Sequence, residues 1–414
     1  MFSISQDFAP PFKLISPFFI LGSLFYLLAS FSIFSFSSEN LFMLDTKVLS
    51  LVHLYLLGFV MMVVFGAMAQ LVPVVLEVGH AAVELFYIIW PLLGIGVILM
   101  VLGFIAYPSF LPYGGTVVLI SMMLFVMEIF ATMRKVKKLN VVISSVLISN
   151  TFLFFGIIFG LVMALGYSGT IDIDIITLLR SHVYLVIGGY ITITLMGLSV
   201  VLLPMFGLSH GFSMKPLHIS ITLMSISIIL VVVSSFVEYL FIEYLAYALA
   251  VASMLLYFYL TYTIFKTRAR KEIDIYVMSL MYAYFSMIIS LVFGVAYLIL
   301  SNEILLLTSA WLLFFGFFGF AITGHIYKIV PFLVWFERFS PLVGKEKVPM
   351  LADMLPKKSS HAQFVFCAIG VSTVAIAILM QNETLIKAGA SFLVVGAMAL
   401  VRNVLYMINY KVKH

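Results

Sequence analysis

The sequence predicts an all-α integral membrane protein whose twelve transmembrane helices form three repeats of four. Three observations predict it. Of 414 residues, 64% are hydrophobic and only 9% charged, and the mean hydropathy is +1.23, a composition suited to lipid as the main solvent. Apolar runs of the roughly 20 residues needed to cross a bilayer recur along the whole chain. In three of them a glycine is followed seven residues later by a proline: Gly66 and Pro73, Gly197 and Pro204, Gly324 and Pro331.

In chain order the spans fall at about 12–36, 47–75, 81–106, 109–133, 139–167, 175–206, 217–237, 243–265, 274–300, 304–336, 361–381 and 386–408. No room remains for a soluble domain, so residues 1–414 read as a single twelve-helix domain. The first span follows only Lys13, without a basic leader or a small-residue cleavage motif, and reads as a retained helix. The second holds His53 and Gln70 in otherwise apolar sequence, and burying an imidazole in hydrocarbon is costly unless it finds a partner. Spans three and four carry Glu84 and Glu128, read as intramembrane carboxylates for proton relay or interhelical hydrogen bonds. The sixth span repeats the second's opening, SHVYLVIGGY against VHLYLLGF, and the tenth contains Trp311, His325 and Lys328. His80, His210, His218 and His361 fall at helix ends, where exposed histidines are expected. The connection 337–360 is the only one long enough for a docking segment. Cys367 is the sole cysteine, which excludes an intrachain disulfide or a cysteine metal cage.

The formal charge of +5 does not point to nucleic acid, because the cations alternate by loop. Arg134, Lys135, Lys137 and Lys138 follow span four; Lys266, Arg268, Arg270 and Lys271 follow span eight; Arg338, Lys345, Lys347, Lys357 and Lys358 follow span ten. Acids mark the opposite connections: Glu39, Asp45, Asp172, Asp174, Glu238, Glu243 and Glu303. The pattern predicts a multi-pass protein of the cell's inner (cytoplasmic) membrane with both termini and the basic loops in the cytoplasm.

The repeat prolines lie 131 and 127 residues apart, which divides the chain into repeats of about 1–134, 135–266 and 267–414. His53-Leu54-Tyr55-Leu56 matches His182-Val183-Tyr184-Leu185, and Gly58, five after His53, matches Gly316, five after Trp311, which takes the third histidine position.

With these motifs the chain resembles the haem-copper oxidase subunit I fold, twelve helices in three arcs of four with metal ligands on helices two, six and ten. The resemblance implies His53 as a low-spin haem ligand, His182 in place of the first copper ligand, and His325 on the ligand-bearing tenth helix. Span seven has only His218 at its edge, and span ten one histidine where the family has a pair, so the resemblance implies an incomplete copper site. It looks more like the divergent haem-binding branches of that superfamily, such as the NnrS family of haem- and copper-containing membrane proteins linked to nitric oxide stress. The implied function is haem-based electron transfer or oxygen- or nitric-oxide-related chemistry, with haem of b type and cytochrome c or a quinol as redox partner. A transporter and a non-catalytic assembly scaffold are the alternatives, and no catalytic residue is assigned.

His53 precedes its repeat proline by 20 residues and His182 by 22, a difference of about 3 Å along a helix at 1.5 Å per residue. The two imidazoles therefore suit one haem near the outer face, or hydrogen bonds to carbonyls or to each other. Gly189, seven residues after His182, is expected to let a macrocycle approach. His325 lies fourteen residues beyond Trp311, roughly 21 Å deeper, with Lys328 on its face. The pair reads as a second site, Lys328 meeting a propionate or a proton path, or as a core histidine beside a snorkelling lysine. Arg180 is expected to clamp a haem carboxylate or to pair with Asp172 or Asp174, and Gln70 matches Lys328 in the first repeat.

Overall fold

Within lipid the backbone can satisfy its polar groups only internally, so each apolar run closes into helix. The computed structural model describes residues 10–37, 39, 41–237 and 239–411; Glu238, assigned above to an acidic connection, lies outside them. Among the described residues twelve helices are long and apolar enough to cross a membrane: Phe12–Ser35, Thr46–Leu76, Val83–Ile105, Pro108–Met133, Val141–Tyr167, Ile175–Gly207, Lys215–Val237, Leu240–Thr267, Ile275–Leu300, Glu303–Arg338, Lys357–Leu379 and Glu383–Ile408. Among the described residues there is no β-strand, only two isolated bridges.

The helix starts follow local chemistry. Asp45, Asn140, Asp174, Asp274, Asn302 and Asn382 each turn a side-chain oxygen back onto an N–H of the first turn of spans two, five, six, nine, ten and twelve, which satisfies donors the helix cannot. Spans six and nine end at Leu208 and Ser301, both left-handed at φ 53° and 52°, a conformation that returns an N–H to the last turn.

By its contacts the chain forms two compact units. One comprises Leu71–Leu92 and Pro108–Glu272; the other comprises Pro10–Gln70, Leu93–Tyr107 and the described residues from Ile273 onward.

Three of the spans are longer than the rest, at 31, 33 and 36 residues: the second, sixth and tenth. Each is interrupted by π-helix, at Leu56–Met61, Tyr184–Thr192 and Leu312–Phe318. Each π segment holds a glycine, Gly58, Gly189 or Gly316, and each of these is followed eight residues later by the glycine of the proline motif. In the second unit a Cβ on Gly58 would lie 2.6 Å from Phe25 Cγ, and one on Gly66 2.6 Å from Phe18 Cβ. In the first unit Gly189 meets Phe152 at 2.5 Å and Gly197 presses on Ser145. In the second unit Gly316 meets Ser286 at 2.6 Å and Gly324 meets Ser279 at 2.9 Å. All six contacted residues lie on spans one, five and nine, seven apart in every pair. The glycines therefore set the close approach of each interrupted helix to the helix before it.

Candidate functional site

His53 ends the α-helical opening of span two, just before the π segment, and is half-buried. Its Nδ1 donates to the Leu49 carbonyl at 2.7 Å, and its ring lies 4.9 Å from that of Phe104. His182 stands in the same place on span six, but its Nδ1 donates outside its own helix, to the Gly156 carbonyl at 2.9 Å on span five. The ring rests on Gly160, where a Cβ would come within 2.9 Å of Cε1. Gly156 is itself pressed by Val186, its Cβ position lying 2.6 Å from Cγ1. The small-xxx-small pair Gly156 and Gly160 was the sequence signal for this cradle. A carbonyl can only accept, so both imidazoles carry their proton on Nδ1 and their lone pair on Nε2, the arrangement usual in metal-bound histidines.

Gly189 makes no room for a macrocycle: Phe152 occupies the space a Cβ would need. Its expected phase relative to His182 assumed an unbroken α-helix, and nine residues from Tyr184 to Thr192 follow π geometry instead.

His325 has both ring nitrogens engaged, Nδ1 donating to the Ala321 carbonyl at 2.7 Å and Nε2 accepting from Tyr276 Oη at 3.3 Å. The Nε2 lone pair that a haem iron would use is thus turned to the tyrosine hydroxyl, so ligation by His325 would require that bond to be given up. Lys328 is close by, as its spacing predicted, but its ammonium meets Asp274 Oδ2 at 2.6 Å. A protein carboxylate at the start of span nine thus takes the place expected for a propionate. Gln70 is buried at 4% exposure.

Arg180 pairs with Glu243 at 2.6 Å, and Tyr247 donates to the same carboxylate at 2.7 Å. Asp174 is instead engaged as the cap of span six. The Thr177 hydroxyl, donating to it at 2.6 Å, holds its carboxyl below the usual range. Glu84 is exposed in the short turn Val83–Leu85, at the very start of span three.

Two features escaped the sequence reading. In the first unit His80, expected to be exposed, has a side chain only 2% accessible and lies 2.9 Å from Oε1 of fully buried Glu128. The same oxygen accepts from Thr132 Oγ1 at 2.7 Å and Ala81 N at 3.1 Å, while Oε2 is buried without a partner. In the second unit Trp311 stacks on Phe315 at 4.1 Å and Phe315 on Tyr55 at 3.9 Å. Tyr55 lies 5.7 Å from the ring of Tyr26, whose hydroxyl donates to Cys367 Sγ at 3.4 Å. Gln363 also donates to that sulfur, at 3.2 Å, and accepts from Tyr327, which in turn accepts from Asn403. The sequence offered no spacing signal for it, because the residues come from five spans.

Among the described residues no group of three or more His, Cys, Asp or Glu side chains is placed to hold a metal ion. What the described chain defines is an all-helical protein with twelve helices long and apolar enough for membrane crossing. Comparison with known protein families and with curated proteins finds no match.

Proposed function

We propose that this chain is a haem-binding multi-pass membrane protein of the haem-copper oxidase subunit I type without a complete copper site, acting in electron transfer or in oxygen- or nitric-oxide-related chemistry. The observation that carries the reading is the common break in spans two, six and ten, where a π segment sits on the first glycine of the same glycine–glycine–proline register. π turns are rare and concentrate at functional sites, and this set supports three repeats of four helices. In two of the three the break follows a histidine whose Nδ1 donates to a main-chain carbonyl. His53 and His182 are accordingly each proposed as a residue that would hold b-type haem, through Nε2. Haem, when bound, supplies a one-electron iron couple.

The chain's own part is orientation and insulation. Leu49 and Gly156 carbonyls fix the two imidazole tautomers, and Gly160 gives His182 its place. The stacked column of Trp311, Phe315 and Tyr55 with Tyr26 and Cys367 supports the electron-transfer part of the reading, since four of these five side chains are oxidisable. Cytochrome c or a quinol is the proposed redox partner, and the cell's inner (cytoplasmic) membrane the proposed location.

Absorbance of the purified protein, expressed with adequate haem supply and followed by a pyridine haemochrome assay, tests this directly. The expected result is a Soret band with a b-type haemochrome, its low-spin features lost in His53→Ala and in His182→Ala while protein stays in the membrane. A wild-type protein free of haem overturns the reading.

A further inference from the structure

The eleventh and twelfth spans frame an open pocket of about 860 Å³ that the proposed redox role does not use. Its rim is cationic. Lys357, Lys358 and Arg402 line it against one carboxylate, Asp353, and that carboxylate already accepts from Met350 N at 2.9 Å. Among the described residues the side chains of Lys358 and Arg402 make no hydrogen bond or ion pair, and both residues are exposed. The first turn of the 23-residue helix Lys357–Leu379 also faces the pocket, through Lys357, Lys358 and Ser359. Its N-cap is Pro356, which has no side-chain group to cap with; Lys357 N donates to the Leu355 carbonyl at 2.9 Å, and the N–H groups of Lys358 and Ser359 are left for an outside acceptor.

A second, independent feature points to a ligand. Asn403 lines the pocket yet is fully buried at 0% exposure. Its Nδ2 donates to Tyr327 Oη at 2.9 Å, and its Oδ1 is buried with no partner. Buried amide oxygens are rarely left in that condition, and this one calls for a hydroxyl or ammonium donor. The remaining wall is apolar: Phe366 on span eleven with Val395 and Ala399 on span twelve continue from the rim along the membrane-crossing helices.

From these features we propose that the pocket binds an anionic glycerophospholipid with a hydroxylated headgroup. The phosphate meets Arg402, the two lysines and the helix N-terminus, a headgroup hydroxyl donates to Asn403 Oδ1, and an acyl chain lies along Phe366, Val395 and Ala399. The shared chemistry with a soluble phosphate ester is the phosphate itself; the apolar wall is what selects the lipid.

Native mass spectrometry of the full chain in detergent tests this with dioctanoylphosphatidylglycerol, dioctanoylphosphatidylcholine, inorganic phosphate and glycerol 3-phosphate as probes. One phosphatidylglycerol per chain is expected, bound at least tenfold more tightly than phosphatidylcholine. Arg402→Gln and the double variant Lys357→Gln/Lys358→Gln should each weaken it at least tenfold, whereas Lys266→Gln, in another basic cluster, should not. Both lysines and Arg402 are exposed, so these variants leave the fold intact; a thermal unfolding curve matching that of the wild type in the absence of lipid checks it. Equal binding of phosphatidylcholine, or unchanged binding in the Arg402 and lysine variants, overturns the site. Glycerol 3-phosphate competing as well as the lipid overturns the lipid assignment in favour of a soluble phosphate ester.

Discussion

At the scale of single residues, the buried pair His80 and Glu128 is where the structure departs most from expectation. Both side chains are almost inaccessible, at 2% and 0%, and Glu128 Oε1 gathers donors from His80, Thr132 and Ala81. Removing one partner from such a pair leaves an uncompensated polar group or charge and typically costs about 3–5 kcal/mol, whereas replacing both with apolar residues of similar size is often neutral. Glu128→Ala and His80→Ala should therefore each lower the thermal unfolding midpoint sharply, and the double variant His80→Leu/Glu128→Met should recover most of the loss. Additive losses in the double variant would show that the two groups are not energetically coupled. His80 was not legible because it and Glu128 stand 48 residues apart, and hydropathy reads depth but not azimuth. Arg180 shows the same limit: its need for a carboxylate was readable, but the choice of Glu243 over Asp172 or Asp174 is made by packing.

At the scale of elements, the twelve spans were readable to within four residues at either end, because span length and caps such as Asp45 and Asn140 are written locally. The π segments were not, since an i→i+5 bonding pattern is not a property of composition. Their trace was present in the register: Gly189, not the residue five after His182, is the partner of Gly58 and Gly316. All three stand eight residues before the glycine of the proline motif, and the 20- against 22-residue spacing from histidine to proline carries the same offset. A single π turn is equivalent to one inserted residue, so deletion within it restores α-helix while both flanks keep their phase. In ordinary helix one deletion rotates everything beyond it by about 100°. Deleting Leu57, inside the π segment of span two, should thus leave folded, monodisperse protein with Gly58 and Gly66 still on span one. Deleting Leu255 from the unbroken α-helix Leu240–Thr267 should not. Size-exclusion profiles and unfolding midpoints compare them, and equal damage from both would contradict a bulge origin.

At the scale of the whole molecule, the contacts inside each unit show which of its own chain ends and connections lie together. In the first unit Lys135, after span four, donates to the carbonyls of Gly79 and His80, after span two, and Ser209, after span six, bridges to Arg268, after span eight. In the second unit Phe12 N, at the start of span one, donates to Glu337 at the end of span ten, whose neighbour Arg338 donates to the Tyr410 carbonyl beyond span twelve. Each of these contacts joins segments that an even number of crossings puts on one side, which is what the alternation of cations along the sequence implied. Basic loops resist translocation, and on that ground Arg134 to Lys138, Lys266 to Lys271 and the 337–360 connection are each proposed to face the cytoplasm, which labelling tests. Cys367 is buried and its sulfur accepts from Tyr26 and Gln363, so Cys367→Ser, whose hydroxyl can accept the same bonds, gives a thiol-free background. In it, single cysteines at the exposed positions Lys137, Arg270 and Lys347 should resist a membrane-impermeant thiol reagent in intact cells and react after permeabilisation. A cysteine at Asp172, in the connection before span six, should react from outside. Labelling of the first three from outside would invert the orientation, and labelling of only some of them would break the even count of crossings on which the three-repeat reading depends.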